Sequence, residues 1–181
     1  MRNKKWIVFA MLLAMTSAAL ASNPNVGGAP MYANRNIIEN AVNSKDHTTL
    51  VAAVKAAGLV ETLESTGPFT VFAPTNEAFA KLPQSAVDGL LKPENKAALV
   101  KVLTYHVVPG RLTASELKKQ VAAGGGRAEL KTVSGGTLTV SMSGKNLILT
   151  DEKGGTATIS IANVMQSNGV IHVIDSVVMP N

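Results

Sequence analysis

The chain has 181 residues, of which 46% are apolar and 4% are aromatic, and its formal charge is +5. It contains no cysteine, which excludes disulfides, thiol chemistry, zinc ribbons and a lipid-modified cysteine. Three of its 17 basic residues precede Trp6, so the rest of the chain holds 14 basic against 12 acidic side chains. This small excess argues against nucleic acid as a partner.

The first 21 residues have the pattern of a secretory signal peptide. Basic residues within Arg2–Lys5 precede the apolar run Trp6–Met15, and small residues lead to Ala21. The apolar run is short for a membrane-spanning anchor. We therefore predict cleavage after Ala21, secretion to the periplasm or the exterior, and no integral membrane segment after cleavage.

The first part of the mature chain is predicted to be helical. Residues 22–33 are rich in Asn, Gly and Pro and predict a flexible leader, followed by one domain over 34–179. Helical spacing of apolar residues predicts a helix over 34–43 and another that ends at Gly58. Asp46 or Thr48 is expected to cap the second helix, and a further helical turn follows it.

The stretch Gly67–Leu82 changes structure twice. Residues 69–72 are β-prone, and Pro74 ends the strand because it has no N–H to donate. Thr75 is then placed to cap a helix that has Phe79 on its apolar face. Three of the four phenylalanines lie in this stretch, so we expect the core to be centred here.

Two more helical segments are predicted before the pattern changes. A short one covers 83–91, and a longer one begins with Pro93 as its first residue. The buried face of the longer helix is predicted to carry Leu99, Val102, Leu103 and His106. Thr113 and Glu116 form a capping box for a short helix that ends at the glycines 124–126.

The C-terminal part has a period of two, which is typical of strands. Strands are predicted over 137–143 and 147–150, and a third strand has Ala157, Ile159 and Ile161 on one face. Residues 170–178 are apolar at nearly every position, so both faces of that strand should be covered. Helices followed by strands, without a βαβ repeat or a dinucleotide motif, predict the α+β class.

The sequence offers little for catalysis. None of the three histidines has another histidine two to five positions away, and there is no nucleophile elbow or phosphate loop. His106 and His172 are predicted to be buried neutral imidazoles with hydrogen-bond partners, although a recognition role for His106 is the alternative. His47, near a helix start, is expected to be exposed. We predict no catalytic residue, no metal site and no cofactor.

Three segments together resemble the fasciclin (FAS1) domain family. Gly67–Phe79 resembles its first signature, Leu103–Val108 its central Tyr-His motif, and Asn168–Asp175 its second signature. The signature residues expected to be structural are Phe69, Phe72, Pro74, Thr75, Asn76, Phe79, Asn168, Gly169, His172 and Asp175.

The resemblance implies a single α+β domain, a β-sandwich or wedge with helices packed on one side. It also implies a secreted or surface-attached module used in adhesion and matrix interactions. Animal members carry integrin-binding motifs around the Tyr-His pair and just ahead of the second signature. The corresponding candidate interaction residues here are Tyr105, His106, Asn163 and Val164. Asn163 stands where the family has Asp, and the missing carboxylate argues against integrin binding.

The function we predict is therefore a secreted, non-enzymatic adhesion or matrix-binding domain. Its expected partner is a protein, a polysaccharide or a cell-surface or matrix component. Two alternatives remain open. A periplasmic carrier or sensor of small ligands would need a sizeable apolar pocket. A hydrolase would need the fold to bring a nucleophile and a base together.

Overall fold

The computed structural model describes residues 23–181, and the predicted signal peptide lies outside the described residues. Seven α-helices occur within residues 23–181: α1 (Ile37–Ala41), α2 (Thr48–Ala57), α3 (Val60–Glu64), α4 (Asn76–Ala80), α5 (Gln84–Leu91), α6 (Lys96–Tyr105) and α7 (Ala114–Ala123). None of the helices in this part of the chain combines the length and apolar character needed to cross a membrane.

Seven strands form one sheet: β1 (Phe69–Pro74), β2 (Val107–Pro109), β3 (Arg127–Lys131), β4 (Thr137–Ser143), β5 (Asn146–Thr150), β6 (Thr156–Gln166) and β7 (Gly169–Ile174). Their order across the sheet is β2-β1-β7-β6-β5-β4-β3. The β1–β7 pair is parallel, and the other neighbouring pairs are antiparallel. This arrangement confirms the predicted α+β class.

The sheet nearly closes on itself. The backbone N–H of Val133, just after β3, donates to the carbonyl of Val107 in β2 at 2.8 Å, which joins the two ends of the strand order. A strongly curved sheet has an inside and an outside, and both are apolar here. The fold therefore has two hydrophobic cores, separated by the central strands.

The helix-side core lies between the outer face of the sheet and the helices α1, α2, α3 and α6. The inner core is enclosed by the sheet and α7. Successive side chains of a strand point to opposite faces, so β1 supplies both. Val71 and Ala73 belong to the helix-side core, and Phe72 belongs to the inner core. All six residues of β7 are buried, as predicted for a strand covered on both faces.

Several local signals are confirmed. Gly58 ends α2 in the left-handed conformation, with φ of 72°. The Thr75 side chain accepts a hydrogen bond from the Ala78 N–H and caps α4. Thr113 and Glu116 form the predicted capping box of α7.

The predicted flexible leader is instead packed against the domain. Val26 and Met31 are buried in the helix-side core. The side chain of Asn23 accepts from the Met165 N–H at 2.8 Å and donates to the Met165 carbonyl at 2.7 Å. The Asn-, Gly- and Pro-rich composition of this segment gave no indication that Val26 and Met31 would be buried or that Asn23 would bind backbone.

The predicted cap of α2 by Asp46 or Thr48 is wrong. A 3₁₀ turn, Lys45–His47, precedes α2. His47, the residue directly before α2, makes no side-chain hydrogen bond that caps this helix. Asn76, at the start of α4, supplies the acceptor instead. Its Oδ1 accepts from the Thr49 N–H at 3.0 Å and the Thr48 hydroxyl at 3.2 Å, and its Nδ2 donates to the Lys45 carbonyl at 2.8 Å.

Other element predictions also need correction. Pro93 begins a 3₁₀ turn, and α6 starts at Lys96, because the chain changes direction between the two. The uniform face predicted for the third C-terminal strand is broken by register shifts on either side of Ile161 in β6. As a result Ala157 and Ile159 pack in the inner core, whereas Ile161 packs against the helix-side core. The strands β2 and β3 were not predicted.

We expect Phe72→Ala to lower the free energy of unfolding by about 3–5 kcal/mol, because it removes a fully buried ring of the inner core. Urea denaturation followed by circular dichroism measures the loss. The matched change Phe79→Ala, at a half-buried ring, is expected to cost less. A Phe72→Ala protein with near wild-type stability would show that the inner core does not depend on this ring.

We expect Asn76→Ala to cost about 1–2 kcal/mol, since it removes the cap of α2 and leaves the Lys45 carbonyl without its amide donor. Thermal unfolding of the variant tests this. Asn34→Ala is the control, because Asn34 is exposed. Equal melting temperatures for the two variants would contradict a capping role for Asn76.

Candidate functional site

The Tyr-His pair lies at the C-terminal end of α6. Tyr105 is fully buried in the inner core. Its hydroxyl donates to the Thr137 carbonyl at 2.7 Å and accepts from the Glu152 N–H at 3.2 Å. Burial is the main cause that raises the pKa of Tyr105 to about 12. The phenol therefore stays protonated and joins α6 to the β-rich half of the chain.

His106 is buried as a neutral imidazole. Its Nδ1 lies 2.8 Å from the Val102 carbonyl, which can only accept, so this nitrogen carries the proton. Its Nε2 then accepts from the Val178 N–H at 3.3 Å. Burial is the dominant cause that lowers the pKa of His106 to about 4. Protonation of His106 would add an N–H at Nε2. This N–H would face the N–H of Val178, so the hydrogen bond between them would be lost.

Two carboxylates also hold the C-terminal segment that His106 contacts. The Met179 N–H donates to Asp151 Oδ2 at 2.8 Å, and the Asn181 N–H donates to Glu152 Oε2 at 3.1 Å. These bonds fix the segment against the β5–β6 turn. His106 is thus one of three side chains that satisfy the backbone of this extended segment.

The second candidate pair lies in the irregular part of β6. Asn163 is exposed and has φ of 61°, a left-handed conformation that Asn tolerates better than most residues. Its Oδ1 accepts from the Ala114 N–H at 2.8 Å, at the start of α7. Val164 is buried in the helix-side core.

Asn163 also contacts His172 in β7. The Asn163 N–H donates to His172 Nδ1 at 3.3 Å, and His172 Nε2 donates to the Leu112 carbonyl at 2.7 Å. The imidazole stacks on Phe72, with 5.7 Å between the ring centroids. Burial lowers the pKa of His172. This histidine is therefore a neutral bridge between the β6 bulge and the loop before α7.

The loop before α7 is fixed by two more side chains. The Thr70 hydroxyl donates to the Gly110 carbonyl at 2.7 Å and accepts from the Leu112 N–H at 2.8 Å. The guanidinium of Arg111 donates to the carbonyls of Gln166 and Ser167, both at 3.1 Å. Exposed Arg111 and Asn163 thus lie on rigidly held backbone. We call residues 110–113 together with Asn163 the Asn163 corner.

His47 is not exposed, contrary to the prediction. Only 3% of its surface is accessible. Its Nδ1 pairs with the Ser44 hydroxyl at 2.9 Å, and its Nε2 lies 3.4 Å from the Ala73 carbonyl. Burial is the largest cause that lowers its pKa. The neighbouring Asp46 and Thr48 are exposed, but the His47 side chain lies on the side of this helix start that faces β1.

Asn168 is the most connected residue of the second signature. Its Oδ1 accepts from the Ile37 N–H at 3.1 Å, and its Nδ2 donates to the carbonyls of Leu63 and Ser65 at 2.7 and 2.8 Å. Its own carbonyl accepts from the Phe69 N–H at 3.0 Å. The side-chain amide therefore joins α1 to the end of α3, and the backbone carbonyl of the same residue holds the start of β1.

The remaining signature residues also support the fold. A side chain on Gly169 would overlap the backbone of Phe69, so only glycine permits this approach of β7 to β1. Pro74 pairs with Ile174 at the far end of the same ladder. Asp175 Oδ1 accepts from the Thr158 N–H at 2.8 Å and joins β7 to β6.

Of the four candidate interaction residues, only Asn163 is exposed, and their interaction role stays a prediction. Five basic side chains of the loop before α7, of α7 and of β3 are exposed: Arg111, Lys118, Lys119, Arg127 and Lys131. Within residues 23–181, no group of three or more His, Asp or Glu side chains is arranged to hold a metal ion.

A nearly closed seven-stranded sheet, helices on its outer face and two signature strands paired side by side define a FAS1-type α+β domain. The family model described as the fasciclin domain matches residues 45–180. This chain belongs to the fasciclin domain family.

Two relatives and one solved structure give the extent of the similarity. The chain is 51% identical over 145 residues to protein sll1483 of Synechocystis sp., covering 80% of this chain and 73% of that protein. It is 39% identical over 145 residues to immunogenic protein MPB70 of Mycobacterium bovis, covering 77% and 66%. The structure of a FAS1 domain pair from the insect cell adhesion molecule Fasciclin I matches with a TM-score of 0.71 at 19% identity, covering 82% and 51%.

We expect the stability of the domain to fall as the pH drops from 6.5 to about 4. His106 has a folded-state pKa of about 4 against 6.5 when unperturbed, so its neutral form stabilises the fold fully above pH 6.5. That contribution, about 3 kcal/mol from the size of the shift, is lost across this window. Urea denaturation at a series of pH values measures it. His106→Gln should make the profile less steep without abolishing it, because burial also lowers the pKa values of His47 and His172. A His106 imidazole that titrates near 6.5 by NMR would contradict the assignment.

We expect Asn163→Asp to preserve or slightly raise stability, by up to about 1 kcal/mol. A carboxylate can accept from the Ala114 N–H in the same way, and a negative charge is favourable at the N-terminus of α7. Asn163→Leu, which has a similar size and no acceptor, should be less stable than wild type. Thermal unfolding compares the three proteins, and an Asp variant as unstable as the Leu variant would refute the cap.

Proposed function

We propose that this chain is a secreted, non-enzymatic FAS1 domain that mediates adhesion to a protein, a polysaccharide or another component of the cell surface or matrix. The observation that carries the proposal is the state of its histidines. His47, His106 and His172 each use both ring nitrogens in contacts within the fold. The imidazoles that a hydrolase would use as bases are therefore buried here and form hydrogen bonds within the fold.

Family membership and fold support the same reading. The solved FAS1 pair with this fold comes from a cell adhesion molecule, which makes adhesion the first activity to test. Recognition by such a domain would use its exposed surface, because most of the polar side chains of the signatures are occupied internally.

The Asn163 corner is the part of this surface that we propose contacts the partner. Arg111 offers a positive charge and Asn163 a neutral amide, both on backbone fixed by Thr70 and His172. Preorganised contacts bind with a smaller entropy loss. Asn163 Oδ1 is uncharged and already accepts from Ala114 N–H, so the corner is not suited to bind a receptor through a cation as an Asp would. Integrins are therefore not the proposed partner.

The experiment measures retention of beads coated with the mature chain on immobilised matrix proteins, polysaccharides and the native cell envelope. Beads coated with a deletion control that lacks residues 45–180 provide the baseline. We expect retention above that baseline on at least one surface. Equal retention on all of them would refute the proposal.

Charge reversal at the Asn163 corner tests the contact surface. Arg111→Glu should reduce retention, with stability checked by thermal unfolding because the guanidinium also holds two carbonyls. Lys153→Glu, an equal charge change in the exposed β5–β6 turn, should leave retention unchanged. Equal losses in both variants would show that net charge, rather than this corner, controls adhesion.

A further inference from the structure

An apolar cavity lies in the helix-side core. The volume that the centre of a water-sized sphere can occupy within it is about 60 Å³. Phe69, Val71 and Ala73, the alternate residues on the outer face of β1, form one wall. Apolar side chains of the surrounding helices, including Ile38 and Val54, form the opposite wall.

The cavity runs along β1, because Phe69, Val71 and Ala73 all line it. At one end lies His47, whose ring is against the Ala73 carbonyl. At the other end lies Leu63, which lines the cavity beside Phe69. Residues 69 and 73 are about 13 Å apart along a strand that rises roughly 3.3 Å per residue. Over that length, the volume corresponds to a mean cross-section of about 5 Å² for the centre of a water-sized molecule, which is narrow.

The cavity has little that could hold water. His47 and His106 line it, but their ring nitrogens are bonded elsewhere, so they present carbon atoms to the cavity. Among residues 23–181, every buried side-chain nitrogen and oxygen has a hydrogen-bond partner. A buried water needs two to four polar partners, and an apolar cavity that lacks them stays dry and accepts apolar molecules.

The cavity is not fully enclosed. Two of its lining residues, Thr62 and Val133, are exposed, and Val133 has 45% of its surface accessible. Covering the exposed apolar surface of Val133 with a ligand would be favourable. A ligand that fills the cavity can therefore leave its polar end in water.

We propose that this cavity is a binding site for one unbranched alkyl chain, such as that of a fatty alcohol, a fatty acid or a lipid. The narrow bore selects a single linear chain over rings and branched groups. The apolar lining offers burial as the driving force, at about 0.8 kcal/mol for each CH₂ group. The site is separate from the Asn163 corner and goes beyond the proposed adhesion role.

The test titrates the full mature chain with decanol and follows its methyl groups by NMR. Saturable shifts should appear at Val54, Val71 and Ile171 in the cavity wall, and not at Leu117 or Val140 in the inner core. Adamantanol, with the same number of carbons in a cage, should produce no saturable shift. No shift with decanol, equal binding of both alcohols, or shifts centred on the inner core would overturn the proposal.

Two further arms identify the source of the chain. Phosphatidylcholine vesicles that produce the same methyl shifts would indicate a membrane lipid. Shifts with decanol alone would indicate a free amphiphile. Either result supports the site.

A pair of matched variants tests the position of the chain. Val71→Phe places a ring in the middle of the cavity and should abolish decanol binding. Val42→Phe makes the same change at an exposed position of the chain, with 50% of its surface accessible, and should bind as wild type does. If Val71→Phe does not fold, the location of the shifts in the wild-type protein decides the question. Undiminished binding by a folded Val71→Phe protein would refute the site.

Discussion

The parallel pairing of β1 with β7 is the contact on which the rest of this domain depends. Six residue pairs, from Phe69 with Gly169 to Pro74 with Ile174, bring the two family signatures side by side. Every residue of β7 is buried, and β1 sends alternate side chains into each of the two cores. Losing this pair would remove the layer against which both cores pack. The absence of a side chain at Gly169 allows the two strands to approach at one end, and the backbone carbonyl of Asn168, which accepts from the Phe69 N–H, aligns them there.

Polar side chains inside the domain mostly serve distant backbone. Asn76 caps α2, which precedes it in the chain. Asn163 in β6 accepts a hydrogen bond from the start of α7, and His106 accepts one from the backbone of the extended segment near residue 178. A buried backbone group without a partner is costly, so each contact satisfies a backbone group that its own element leaves unpaired. Family signatures made of such residues describe how the fold closes. They identify the domain more directly than they identify a binding surface.

A feature could be predicted from the sequence where the residues that determine it lie close together in the chain. Thr75, Thr113 and Gly58 act within a few positions of their own location, and their capping roles were predictable. The same holds for the apolar run of β7 and for the α+β class. The strand β3, Arg127–Lys131, alternates charged with apolar residues, but it is short and has no β-branched or aromatic residue. Its own residues therefore gave only a weak strand signal, and its pairing with β4 stabilises it. The burial of His47 and the cap from Asn76 likewise depend on contacts with other elements. The exposed Asn163 was found only through the family resemblance, because one positive φ leaves no periodic pattern.

The separation of 100 positions between Phe69 and Gly169 also governs the order in which the domain can form. Contacts between distant segments must overcome the entropy of closing a long loop before they stabilise anything. A chain emerging from the ribosome has β1 long before its partner β7, which follows about 100 positions later. Both cores remain open until β7 is available, so neither core can be completed before most of the domain has been synthesised.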